Sequence, residues 1–131
     1  MVFSAMLSFI GCSDFKKNSE IAFLQYRVSG YNPGYYIQLE NGKIIYENYD
    51  EHKKKMKWAK PQRVSELMGI FKKYDIYSWD GYDKSDDEVL DGMGFSLYVQ
   101  FSDGSCINAH GNNMFPQKFR EFDEAICSLV N

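Results

Sequence analysis

The stretch from Trp79 to Gly92, WDGYDKSDDEVLDG, places six carboxylates in fourteen residues between two Asp-Gly pairs. Acids gathered so closely suit a divalent cation, paired acid–base catalysis, or simple solvation. A helix–loop–helix calcium site needs oxygen ligands at its first, third and fifth positions, a glycine at the sixth and a bidentate acid at the twelfth. A frame starting at Asp80 puts Tyr82 and Lys84 at ligand positions and Ser85 at the glycine. One starting at Asp83 puts Glu88 at the glycine and Gly94 at the bidentate acid. Both frames fail. A looser Ca²⁺ cage of Asp80, Asp83 and Asp91 with backbone carbonyls is the one cofactor alternative to a solvated acidic loop with none.

Acid–base catalysis requires one carboxyl in a dry setting that raises its pKa. Six acids in one loop single out no such member. For nucleophilic chemistry the tempting pair is Cys106 and His110, four residues apart on one predicted strand. At strand rise they stand about 13 Å apart, beyond hydrogen-bond reach. His110, in NAHGNN, can instead meet a carboxylate of the acidic loop, although a lone histidine at a strand end is chiefly structural. No catalytic set emerges, so binding is the stronger expectation. A hydrolase using His110 and the acidic loop is kept as an alternative. The candidate binding residues are Trp79, Asp80, Asp83, Asp91, His110 and Asn113, together with the strand aromatics Tyr36 and Tyr98.

These residues need elements to position them. IAFLQYRVS, residues 21 to 29, alternates Ala22, Leu24, Tyr26 and Val28 against Gln25 and Arg27, which is strand periodicity. Two further runs flank Asn41-Gly42, a two-residue hairpin signal that sets Leu39 opposite Ile44, Ile37 opposite Tyr46 and Glu40 opposite Lys43. Pro61 opens a helix with Val64, Leu67, Met68 and Phe71 on one face. After the acidic loop, Phe95, Leu97, Val99 and Phe101 alternate into a second hairpin at Ser-Asp-Gly. A three-residue loop with Gly104 left-handed matches Val99 to Ile107 and Leu97 to Ala109, apolar to apolar. Pro116 opens a last helix whose stripe is Phe115, Phe119, Phe122, Ile126 and Leu129.

The expected architecture is α+β, an antiparallel sheet of four to six strands with two helices on one face. PQRVSEL and PQKFREF begin the two helices, and hairpin-then-helix occurs twice, which raises a ββα duplication. Aromatics on the other face, Tyr36 and Tyr98 among them, suggest an exposed surface for a partner.

Length fits one domain, and a net charge of −3 gives no footprint for nucleic acid. HKKKMKWAKPQR holds six basic residues with no acid between them. It reads as a solvated strand-to-helix connection, or as a patch for an anionic surface. No apolar run approaches the roughly 20 residues that span a bilayer.

The opening MVFSAMLSFIGC, followed by polar SDFKKNSE, resembles the end of a bacterial lipoprotein signal peptide, with Gly11 and Cys12 at the processing site. That resemblance implies lipidation at Cys12, a signal over residues 1–12, a polar spacer over 13–20 and one domain over 21–131. Phe9 and Ile10 depart from the usual pattern, no basic residue precedes the run, and the run is short for a signal. Cys106 and Cys127 then remain, an even pair that could bridge in an oxidising compartment; two buried free thiols are the expectation.

The second half, from YDIYSWDGYDKSDDEVLDG to NAHGNNMFPQKFREF, resembles segments of small bacterial exported or lipoprotein domains. Trp79, Asp80, Gly81, Asp91, Gly92, Gly111, Asn113 and Pro116 carry that likeness. It implies no activity, substrate or cofactor. The resulting expectation is a monomeric, non-enzymatic domain, lipid-anchored at the cell envelope, with a protein, peptide or glycan partner. The alternative is a cytoplasmic interaction protein of the immunity type, with the acidic loop mimicking an anionic substrate.

Overall fold

The structure is a computed structural model that describes residues 19–30, 34–49, 53–58, 61–88 and 92–130. The proposed signal, Cys12, Tyr31, His52, Lys60 and Asp91 lie outside them. Within them the chain is an α+β fold of one seven-stranded sheet and two helices. The strands are β1 (Ile21–Ser29), β2 (Tyr35–Glu40), β3 (Lys43–Asn48), β4 (Lys53–Trp58), β5 (Asp83–Ser85), β6 (Gly94–Phe101) and β7 (Cys106–Asn112). Helix α1 spans Pro61–Lys73, helix α2 spans Phe119–Val130, and a 3₁₀ turn covers Ile76–Trp79. The sheet order is β4-β3-β2-β1-β6-β7-β5, antiparallel except where β5 runs parallel to β7.

Both hairpins adopt the registers their turn chemistry demands. Leu39 faces Ile44, Ile37 faces Tyr46 and Glu40 faces Lys43 across Asn41 and Gly42, whose φ angles of 50° and 77° are left-handed. In the second hairpin Val99 faces Ile107 and Leu97 faces Ala109, with Gly104 at φ 91°.

The sheet is larger than the expected four to six strands because two segments read as connections pair at its edges. The lysine-rich run is β4, paired from Asn48↔Lys53 to Lys43↔Trp58. The centre of the acidic loop is β5, whose Asp83, Lys84 and Ser85 pair with His110, Gly111 and Asn112. Charged residues on an edge strand discourage pairing with another chain, a role open to Lys54 and Lys55, both exposed.

Tyr26, Leu24, Val99, Ile107 and Ala109 face the helices and are fully buried. From the helices, Phe71, Phe122 and Ile126 close onto them. In β1, Ala22 is exposed and Ile21 takes the expected core place, because a register shift between Ile21 and Phe23 turns the alternation by one residue. Helix α2 starts at Phe119 rather than Pro116. Lys118 sits at φ 69°, a left-handed conformation that no helix continues through.

Candidate functional site

The sheet's outer face, turned away from both helices, brings several of the candidate residues into transverse rows. One row runs Lys54, Glu47, Tyr36, Arg27, Ser96, His110, Asp83 by strand register. The next carries Gln38, Gln25, Tyr98 and Asn108. The Tyr36 hydroxyl bonds Gln38 Oε1, whose amide in turn donates to Glu40 at 3.1 Å. The Arg27 guanidinium lies over the Tyr36 ring, 5.3 Å from its centre. Tyr98 meets Phe23, ring centres 6.0 Å apart.

At the row's end, His110 Nδ1 stands 3.3 Å from Asp83 Oδ1. With side chains 54% and 69% exposed, this pair is weak in water. Ser96 faces His110 across the strand pair, yet among the described residues no hydrogen bond joins them, so no relay to a nucleophile forms.

The remaining candidates are joints. Trp79 is 2% exposed and so inside the core, where it packs against Phe95, Phe119 and Phe122. Its Nε1 donates to the Gln117 carbonyl at 3.2 Å. Trp79 therefore presents no surface to a partner. Asp80 Oδ1 accepts the Asn108 N–H at 3.0 Å, fastening the acidic segment to β7. Burial raises the Asp80 pKa against the lowering effect of the Asn108 and Gly81 N–H groups.

Asn113, at φ 62°, donates its N–H to the Met93 carbonyl at 2.7 Å and its side-chain amide to the Asp86 carbonyl at 3.1 Å. A Cβ on Gly92 would fall 1.2 Å from Asn113 Oδ1, so a larger residue there would displace the Asn113 side chain. Asp80 and Asp83 thus hold separate partners. Among the described residues no three His, Cys, Asp or Glu side chains gather as a metal-binding group.

A second place was not foreseen. Asp123, on α2, accepts a hydrogen bond from the Tyr26 hydroxyl at 2.7 Å, and the Tyr35 hydroxyl reaches the same Oδ1. Burial, and the charge of Glu124 to a lesser degree, raise the Asp123 pKa, while the Tyr26 hydroxyl opposes them. Burial and the neighbouring Asp123 drive the Tyr26 hydroxyl far above the usual phenol range. The Cys127 thiol, one turn on, is pushed up to about 12 by burial and by Asp123.

Asp123 also lines an open groove of about 470 Å³ with Met93, Phe115, Phe119, Lys118 and Arg120. The signal for it was Tyr26, a tyrosine at a core-facing strand position, whose buried hydroxyl must find an acceptor. A second concavity among Leu24, Ile37, Leu67 and Ile126 holds only about 20 Å³ and is a packing gap.

Cys127 is a free thiol and Cys106 is disulfide-bonded. The two are therefore not bridged to each other, and the expectation of two free thiols is corrected at Cys106. No helix among the described residues is long and apolar enough to cross a membrane. Compared with known proteins, the chain matches no family model and no curated protein.

Proposed function

We propose that this chain is a non-catalytic binding domain of the bacterial cell envelope, lipid-anchored through Cys12, whose contact surface is the outer sheet face. The observation that carries the reading is the make-up of that face. Tyr36, Tyr98 and Phe23 offer rings, while Gln25, Gln38, Asn108, Ser96 and Arg27 offer hydrogen-bonding groups between them. Rigid rings interleaved with polar groups suit a protein, peptide or glycan that lies flat across strands. The exported setting and the anchor draw on the Gly11-Cys12 pattern and the polar spacer that follows it.

Retention of the full chain on glycan and peptide arrays tests the surface. The Tyr36→Ala/Tyr98→Ala double variant is expected to lose at least tenfold in apparent affinity for whatever the native chain retains, while still folded by circular dichroism. Equal retention by both proteins would remove this face from the account. The repeated hairpin–helix order also fits descent of the two halves from one ββα unit, with β4 as an addition in the first.

A further inference from the structure

The groove beside α2 sets the Asp123 carboxylate next to aromatic side chains, away from the outer sheet face. Tyr26 and Tyr35 both spend their hydroxyls on Oδ1 of Asp123, which leaves Oδ2 without a hydrogen-bond partner among the described residues. No buried side-chain oxygen or nitrogen among them lacks a partner, so Oδ2 is reachable from outside. Asp123 is itself a groove-lining residue. The two tyrosines, packed edge to face with ring centres 6.2 Å apart, fix the carboxylate from below.

Among the described residues no lysine or arginine pairs with Asp123. Lys118 is engaged by Glu121 at 3.6 Å instead. Phe115 and Phe119, 4.6 Å apart between ring centres, and Met93 give the groove an apolar, aromatic side, while Lys118, Arg120 and Glu121 line the rest of it and Arg120 makes no ion pair with Asp123. An acid half withdrawn from water and short of a cation carries a desolvation cost that a bound cation offsets. Rings at its side add attraction for a positive charge and bury an apolar body. A volume of about 470 Å³ lies in the range of small-ligand sites.

We propose that this groove binds a ligand made of an apolar body and one cationic amine, with the ammonium on Asp123 Oδ2 and the body on Phe115, Phe119 and Met93. The amine can belong to a free small molecule or to a lysine side chain of a peptide, and the two are told apart by probe.

The full chain is titrated, by chemical-shift perturbation, with benzylammonium, with the uncharged benzyl alcohol and with a short lysine-containing peptide. Benzylammonium is expected to shift Phe115, Phe119 and Asp123 resonances and to bind at least tenfold tighter than benzyl alcohol. Asp123→Asn, which keeps an acceptor for both tyrosine hydroxyls, is expected to abolish that preference while benzyl alcohol binds as before. A peptide that shifts the same resonances more tightly than benzylammonium assigns the site to lysine side chains; a weaker one assigns it to free amines.

Equal binding of amine and alcohol would overturn the proposal, as would an undiminished preference in Asp123→Asn or no shifts at these residues with either amine. Asp83→Asn, on the outer face, serves as the charge control and is expected to leave the amine preference intact. The outcome is independent of the Tyr36 and Tyr98 surface.

Discussion

Gly111 has no room for a methyl group. A Cβ there would stand 2.2 Å from the Met114 carbonyl oxygen and 3.0 Å from the Phe95 ring, and the first of these is backbone that cannot swing aside. Gly111→Ala is therefore expected to cost about 2–3 kcal/mol of unfolding free energy, as overpacking does. Denaturant titration measures it, and a loss below about 0.5 kcal/mol would contradict the packing described.

Titration offers a second residue-scale test. Asp123 is held above the ordinary carboxylate range by burial, so the fold favours its neutral form. The stability this group contributes is full below its unfolded pKa of about 4 and is lost as pH rises through the folded value. Relative to Asp123→Asn, the native chain should thus lose stability as pH rises above about 4, and a difference that stays constant or reverses would contradict it. Asp80, also raised by burial, titrates in both proteins and cancels in the comparison. At this scale the sequence was legible where a residue type implies a partner. Asp commonly accepts a backbone N–H in a turn, and Asp80 accepts that of Asn108. Asp123 escaped notice because it stands next to the apolar stripe of α2, where its neighbours Phe122 and Ile126 set the pattern.

At the level of elements, the hairpins were legible to the register because Asn-Gly and Ser-Asp-Gly fix both loop length and pairing, and apolar matching chose between the options. The edge strands were not. KKKMKW alternates only at Met56 and Trp58, too briefly to stand out from a basic run, and Asp-Lys-Ser is too short to show any period. Each is a strand because a neighbour offers an unpaired edge, which is tertiary information absent from the segment itself. The start of α2 was misplaced by three residues for a related reason. Proline favours a first helical position, but Lys118 at φ 69° interrupts the backbone, and the α-helix begins only at Phe119. A left-handed lysine costs roughly 1–2 kcal/mol that glycine does not bear. Lys118→Gly should accordingly raise stability by up to about 1 kcal/mol, after the greater chain entropy of glycine and the exposed Lys118–Glu121 pair are set against it. Thermal unfolding reads the result, and a lowered midpoint would show that the turn is not strained at Lys118.

At the scale of the whole molecule, among the described residues two helices close one face of a seven-stranded sheet, and the other face carries an array of rings, amides and charges. Trp79, Asp80, Gly92, Gly111 and Asn113 hold the acidic segment against β6 and β7. What they define is a scaffold. In the proposed function its use depends on where the chain is held, which lipidation of Cys12 would decide. Metabolic labelling with a palmitate analogue in a bacterial host, with the chain expressed from its own locus, is the most direct test. The account predicts label in the membrane fraction that disappears in Cys12→Ser. Unlabelled protein that stays in the cytosol with residues 1–11 intact would contradict it and would favour an interaction protein of the immunity type.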